Sequence, residues 1–530
     1  MKEGGYVKKF RFGFRCILAI FVVVFIVTFQ NSVQADSVID EARYYIENYY
    51  VEPVSDNVLN AATIQEMIKQ LNDPYSEYFS KQEQQDFVDS IDNKMCGIGV
   101  YIQVVKDGVL VNNVISLSPA EKAGIKSGDI ILSADGKSLV GLDSTEASSY
   151  IKGSEGTSVK LVIKRNDKEF DFTVERKEIS VPTVTGKVLN GHTAYIDITS
   201  FGEDTSKLFT EELQNLRMQN PDSYIIDLRN NGGGYMSTAL DIAGNFVGKQ
   251  PAITVEDRSG SRVRYLASDK GSIIDKPVIF LTNKNTASAS EILSAAVKDY
   301  KKAFFVGSTT YGKGVAQQIF GLTDGSYLKL TVEKFFSPMG NTIQKVGISP
   351  DFKVDDDNLS LKVAELLSGK CVKTYDKSGY IKANINGTDF EINLNTAKDD
   401  SHWTAFKYII ENVDKSKIYI GTDKGWIKAP EEYFNNVYQF LYSDYKILTA
   451  SNNNEKNKVF TVTFNKNLDS DSLKDNSKFE IIDANTGERV AFDIKKIAGN
   501  KINLVPKNNL QSGETYLVRI FGTLRPFSVK

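Results

Sequence analysis

Apolar and polar positions change their period several times along the chain, and each change marks a segment. Residues 1–35 begin with Lys8, Lys9, Arg11 and Arg15, followed by an apolar run from Cys16 to Phe29 and the small-residue ending Val33-Gln34-Ala35. A basic start, a short apolar stretch and small residues after it predict a secretory signal peptide. The run is shorter than the roughly 20 residues of a spanning helix, although a membrane anchor stays open if Phe12 to Phe14 join it. Over residues 36–92 the period is helical. Ile39, Ala42, Arg43 and Ile46 fit one helix and Val58 to Leu71 another, and Asp73-Pro74 then turns the chain.

Residues 93–178 switch to strict alternation. Strands are predicted over Gly99–Val105, Val109–Ile115, Ile130–Ala134, Val159–Arg165 and Glu169–Glu175, with hairpin turns at Asp107-Gly108, Asp135-Gly136 and Asn166-Asp167. One helix, capped by Asp143 or Ser144, ends near Gly153. Residues 179–367 alternate apolar strands with amphipathic helices, which predicts a sheet covered by helices. Residues 368–442 form a connecting segment with some strand and a helix near Trp403 to Val413. Residues 443–530 alternate strongly, as in Val459–Phe464 and Thr515–Ile520, and predict a β-sandwich. The fold class is multidomain α/β and β, and 530 residues suit three or four domains of about 150 each.

Composition adds mainly exclusions. The chain is 41% hydrophobic and 25% charged with a net charge of −3, and no basic run follows the first 20 residues, so nucleic acid is not an expected partner. Of three cysteines, Cys16 opens the apolar run, which argues against a lipoprotein. Cys96 and Cys371 stand too far apart to form a disulfide framework and are expected free. Only His192 and His402 exist, so a hydrolase here has little access to a histidine base, and no ligand cluster suggests a metal.

Three stretches carry candidate chemistry. Asn285-Thr-Ala-Ser288-Ala-Ser-Glu291 lies between an apolar strand and an amphipathic helix. Ser288 and Glu291 there make an ordinary capping box, yet a serine at a helix start also meets free N–H groups that favour an alkoxide or oxyanion. Tyr311-Gly-Lys313-Gly-Val-Ala-Gln317 nearly completes a phosphate loop from Gly307. Gly314 replaces the hydroxyl residue that holds magnesium, and an extended stretch follows where a helix is required. Lys313 is then either a surface hairpin lysine or a desolvated amine able to act as a base. Asn230-Asn-Gly-Gly-Gly234 is either a flexible turn or a set of backbone donors for an oxyanion.

Together the three resemble the motifs of the carboxyl-terminal processing peptidases, the tail-specific protease family. Asp227 to Gly234, Thr286 to Ile292 and Tyr311 to Gln317 match in order, with lysine 25 residues after serine and glutamine four after lysine. Gly347-Ile-Ser-Pro-Asp351 and Asn72-Asp-Pro-Tyr-Ser76 resemble further parts of that family, over roughly residues 36–367. Gly232 departs from it, standing where proline is common. The resemblance implies a serine endopeptidase without cofactor. Ser288 is the nucleophile, Lys313 the general base and Gln317 its orienting partner, with the N–H groups of Gly233 and Ala289 as the oxyanion hole. Gly234 is an alternative donor, and Ser290 is the rival nucleophile. Residues 93–178 then resemble a PDZ domain, in which Gly97-Ile98-Gly99-Val100 receives a substrate's C-terminal carboxylate and Arg165 couples the domain to the active site. Residues 443–530 resemble a bacterial Ig-like domain suited to a cell-wall or surface partner. The expected substrates are proteins or peptides with free C-termini, outside the cytoplasm, and a homodimer is compatible with this reading. A non-catalytic scaffold on a dead protease core is the competing class.

Overall fold

The computed structural model describes residues 24–26, 37–271, 273–369, 372–467 and 478–530. The expected leader, apart from Val24–Ile26, and Cys371 lie outside the described residues. Among those described, no helix is long and apolar enough to cross a membrane.

The N-terminal segment is helical because it is capped and amphipathic. Ser37 caps Val38–Tyr49, and Thr63 caps Ile64–Leu71, which ends on left-handed Asn72. Their apolar faces, among them Ala42, Ile46 and Met67, bury against Phe320, Leu328 and Leu330 of the protease core. The strand Glu77–Phe79 and the helix Lys81–Ile91 complete the segment.

Residues 94–180 contain a six-stranded antiparallel sheet in the order Val100–Val105, Gly108–Val114, Ile130–Ala134, Ser158–Arg165, Lys168–Glu175, with the short strand Lys137–Ser138 also paired to Ile130–Ala134. The helix Ser144–Ile151 is capped by Asp143 and packs on this sheet's core through Ala147 and Ile151. Asp135-Gly136 and Asn166-Asp167 sit at positive φ, as two-residue hairpin turns with the twist of the strands require. Entry and exit run side by side as a ribbon, Lys94–Gly97 against Lys177–Ser180. Arg176 fastens the end of the helix to this exit, donating from Nε to Ile151 O at 2.9 Å and from Nη2 to Tyr150 O at 3.1 Å.

The elements of the protease core run β1 (Val184–Leu189), β2 (Thr193–Ile198), α1 (Thr205–Arg217), β3 (Ser223–Asp227), α2 (Met236–Val247), β4 (Pro251–Asp257), β5 (Arg262–Leu266), β6 (Val278–Thr282), α3 (Ala289–Asp299), β7 (Phe304–Gly307), β8 (Val315–Gly321), β9 (Tyr327–Phe336), β10 (Phe352–Lys353) and α4 (Asp357–Leu367). The central sheet has the order β1-β2-β3-β6-β7-β10, parallel except for β1. Its strands are apolar on both faces because both are covered. One face packs on α1, α2 and α3 through residues such as Phe209, Ile242 and Ile292. The other buries Ile225, Ile279, Leu281 and Val306 against α4 and the connecting segment. A second, largely antiparallel sheet holds β8, β9, β4 and β5, and Glu77–Phe79 pairs with β9 on the edge opposite β8. Val24–Ile26 lies parallel to β8, with Val24 opposite Gln317.

The connecting segment has a four-stranded sheet over Tyr380–Lys428, whose longest accompanying helix is Asp400–Asn412. That helix buries Trp403, whose Nε1 donates to Ala484 O of the C-terminal sandwich at 3.1 Å. Gly487 lets the sandwich close on this ring, since a Cβ there would come within 2.6 Å of Trp403. The sandwich joins a five-stranded and a three-stranded sheet around Phe479, Leu504 and Phe527.

Candidate active site

Parallel strands direct their carboxyl-end loops to one edge of a sheet, where ligands are commonly bound. Here β3, β6 and β7 lead into the three motif loops. A chain of buried amides binds the first two loops together. Asn283 Oδ1 accepts the Asn230 and Asn285 N–H groups, each at 3.0 Å, and Thr286 Oγ1 donates to Leu228 O at 2.8 Å. Asn231, fully buried, donates from Nδ2 to Ile198 O at 2.7 Å and accepts Ala287 N–H at 3.0 Å through its own carbonyl. Behind this frame Asp227 holds Arg229 through Nε at 2.9 Å and Tyr195 OH at 2.8 Å, and Arg229 reaches the start of α4 at Asp357 O.

Ser288 sits at the N-terminus of α3, 3% exposed, at φ +59° and ψ −116°. A non-glycine residue held at positive φ costs of order 1–3 kcal/mol, so surrounding contacts must enforce it. Gly233 presses from one side, where a Cβ would fall 2.7 Å from Ser288 Cβ. Gly234 packs on Phe201, whose carbonyl oxygen would lie 2.4 Å from an added Cβ. Both positions also have positive φ, so the glycine run is a steric requirement.

Glu291 is the centre of the arrangement. Its Oε2 accepts Ser288 N–H at 2.9 Å and Lys313 N–H at 2.8 Å, while Oε1 accepts Gly312 N–H at 2.7 Å and Thr310 Oγ1–H at 2.5 Å. One fully buried carboxylate thus fastens the serine loop to the lysine loop. Burial pushes its acid up, and these four donors work against that rise.

The Lys313 side chain enters a cavity of about 270 Å³ also lined by Ser288, Gln317, Gly232 to Gly234 and Lys329. Its ammonium lies 4.8 Å from the centre of the Tyr75 ring. The turn Asp73-Pro74-Tyr75-Ser76 fixes that ring, since Asp73 accepts Tyr75 N–H at 3.1 Å and Ser76 Oγ–H at 2.6 Å. Burial above all, and then the charge of Lys329, lowers the Lys313 pKa to about 8 against the opposing charges of Asp73, Glu291 and Glu77. Gln317, 2% exposed, donates from Nε2 to Thr331 Oγ1 at 3.2 Å.

The structure brings Ser288, Lys313, Gln317 and Gly233 together. Ala289 follows Ser288 as the first residue of α3. Two sequence expectations need qualification. Gly233 N–H, expected to point at an oxyanion, is given to Asn231 Oδ1 at 2.9 Å. Among the described residues the hydrogen bonds of Arg165 stay within its own domain: it is bidentate to Asp129 at 2.6 and 2.7 Å, donates to Gly124 O at 2.8 Å, and lies 5.8 Å from the ring centres of Phe170 and Phe172. Ser290 is not a competing nucleophile by position, because its buried Oγ donates to Asn231 O at 3.0 Å. Both histidines lie away from the cavity. His192 Nδ1 is 3.0 Å from Thr193 Oγ1, and His402 Nε2 is 2.7 Å from Glu365 Oε2. Among the described residues no group of His, Cys, Asp and Glu could hold a metal. A roomier cavity of about 580 Å³, beside Phe304 and Phe390, contains no residue of the three motifs.

In residues 97–100, Gly99 at φ +85° lets the loop pass Ser118, where a Cβ would meet Ser118 Cβ at 2.3 Å. The carbonyls of Ile98 and Gly99 are engaged within the domain, accepting Ala120 N–H at 2.8 Å and Ile115 N–H at 2.9 Å. The loop is therefore anchored by its carbonyl side.

Residues 192–354 match the profile described as peptidase family S41. Over 325 residues the chain is 38% identical to the carboxy-terminal processing protease CtpB of Bacillus subtilis (strain 168), covering 60% of this chain and 67% of that protein. It is 33% identical over 374 residues to CtpA of the same organism, covering 70% and 80%. The chain belongs to the carboxy-terminal processing protease family. It is a serine-type peptidase, as the order and spacing of its three motifs led us to expect. Residues 96–175 match a PDZ domain, 29–83 the N-terminal domain of the activating protease CtpB, and 446–525 a bacterial Ig-like domain. The solved photosystem II D1 C-terminal processing protease is similar over 61% of this chain and 93% of its own, at 25% identity and a TM-score of 0.41.

The sequence left four participants unnamed. Tyr75, Glu77 and Lys329 come from segments distant in the chain, and Asn231 reads as a turn residue. Tyr75 had a signal in the Asn72–Ser76 motif and Asn231 in Asp227–Gly234, whereas Glu77 and Lys329 had none.

Proposed function

We propose that this family member is an extracytoplasmic endopeptidase that cuts proteins at or near their C-termini with a serine–lysine dyad. Neutral Lys313 takes the Ser288 proton as Oγ attacks the scissile carbonyl, and the acyl-enzyme is hydrolysed with Lys313 as base again. Gln317 orients the amine as an acceptor: its amide NH₂ is taken up by Thr331 Oγ1, which leaves the amide oxygen for that role. Ala289 N–H, at the positive end of α3, stabilises the oxyanion together with Gly233 N–H. The latter donor must be released by Asn231 Oδ1 when substrate enters.

The observation that carries this reading is the Glu291 carboxylate. It accepts the backbone N–H groups of both Ser288 and Lys313, and a cap alone would need only the first. A lysine amine lowered to about 8 beside it suits a base working near neutral pH. The PDZ domain holds a substrate's terminal carboxylate at Gly97 to Val100 and passes its position to the core through the ribbon Lys94–Gly97/Lys177–Ser180. Arg165 contributes by keeping that domain rigid. The Ig-like domain is the part we assign to a cell-wall or surface partner. Purified wild type should cleave an unfolded, tail-bearing protein, and Ser288→Ala should not. Equal cleavage by both would end the proposal.

A further inference from the structure

Lys329 stands out because nothing in the proposed chemistry uses it. It is 8% exposed, on β9, in the wall of the cavity that holds Ser288, Lys313 and Gln317. Its ammonium pairs with the Glu77 carboxylate, directly opposite it in the strand register, and lies 5.0 Å from the Phe79 ring centre and 4.5 Å from that of Phe87. The Glu77 side chain is half exposed, and a partly solvated ion pair of this kind contributes little to stability. Stability therefore gives a poor reason for a lysine here. Its position beside a second amine gives a better one.

We propose that Lys329 is a positioning residue of the active site: pinned by Glu77, Phe79 and Phe87 in the wall of the same cavity, its fixed positive charge disfavours a second ammonium at Lys313 and so enlarges the fraction of amine free to take the Ser288 proton. The inference rests on the dyad reading above. Every charge facing Lys313 fits a tuned balance. Lys329 on β9 disfavours a second ammonium, whereas Asp73 and Glu77 from the N-terminal segment and Glu291 from α3 favour it, and the Tyr75 ring lies against the amine. Three carboxylates around one lysine would hold it protonated at neutral pH. Burial and the Lys329 charge are the two effects that pull the other way. The N-terminal segment thereby becomes part of the catalytic centre, because it supplies Tyr75, Glu77, Phe79 and Phe87.

The test is the pH dependence of kcat for a small ester, measured on the full-length protein. Lys329→Met should move the midpoint of the acid limb up by roughly half to one pH unit, lowering the rate at pH 7 about three- to tenfold. Glu77→Gln should move it down, and Lys329→Arg should keep it near wild type whatever its rate. A residue that merely supports the fold would lower the rate at all pH values without this opposite pair of shifts. Midpoints within about 0.2 of wild type for Lys329→Met and Glu77→Gln, or shifts in the same direction, would overturn the inference. So would a rise in KM for acidic substrates with no movement of the limb, which would make Lys329 a receptor for a substrate carboxylate. If Lys329→Met fails to fold by circular dichroism, Glu77→Gln and Lys329→Arg decide the matter. Failure of the dyad itself would be recognised separately, as ester hydrolysis that survives Ser288→Ala.

Discussion

Glu291→Gln tests the idea that one carboxylate sets the geometry of the dyad. The substitution preserves size and removes one acceptor. Four donors converge on the two carboxylate oxygens, between 2.5 and 2.9 Å away. A glutamine can satisfy two of them with its oxygen, and its NH₂ then faces the other two. Hydrogen bonds to a charged group contribute about 1.5–3 kcal/mol each, and a buried donor left unpaired costs about 1–3 kcal/mol. Relaxation recovers part of this, so the net loss of stability should be about 3–5 kcal/mol. The same loss frees the serine and lysine loops from one another. Misplacement by about 1 Å costs on the order of a hundredfold in rate, or about 2.7 kcal/mol of barrier. The assay pairs thermal unfolding with kcat and KM for a peptide ester. We expect a Tm several degrees lower, kcat reduced at least about a hundredfold, and KM little changed. A variant that melts lower yet keeps kcat within about threefold of wild type would refute the link between Glu291 and dyad geometry.

Activity should rise with pH through an apparent pKa near the Lys313 value of about 8, because only the neutral amine is a base. As this pKa is depressed on folding, the folded state disfavours protonation, a cost that grows below pH 10 and is complete below about 8. Lys313→Met should therefore abolish kcat yet raise Tm at pH 7 by a few degrees, and an unchanged or lower Tm would contradict the burial argument. Gly233→Ala should lower kcat at least about a hundredfold with the fold retained, read by activity and circular dichroism, because its Cβ would strike Ser288 at 2.7 Å. A chain ending at residue 367 should aggregate or melt far below the full chain in a light-scattering melt, because Ile225, Ile279 and Leu281 lose their cover.

The strands, turns and helices were legible wherever period and caps agreed. The helix expected to start at Asp143 or Ser144 and end near Gly153 spans Ser144–Ile151, and the Asn166-Asp167 turn has the positive φ its residues favour. The connecting segment was less legible because Trp403 and its neighbours bury against partners far away in sequence, in α4 and the sandwich. The site was legible as three motifs but not as a centre. Glu291 had the spacing of a capping box, and three of the four groups it binds lie 19 to 22 residues further on. Lys329 sits in an ordinary alternating strand, and only the pairing of β9 with Glu77–Phe79 gives it a counter-ion and the Phe79 ring, with Phe87 added from the helix Lys81–Ile91. Arg165 shows the opposite limit, since a matching position in the chain did not predict that its bonds would close within the PDZ domain.

The most direct test of the dyad is the intact mass of an unfolded, tail-bearing protein after incubation with wild type, Ser288→Ala and Lys313→Ala, each shown to be folded. The account predicts fragments with new C-termini near the original end from wild type, and an unchanged mass with both variants. The same fragments from either variant would contradict it.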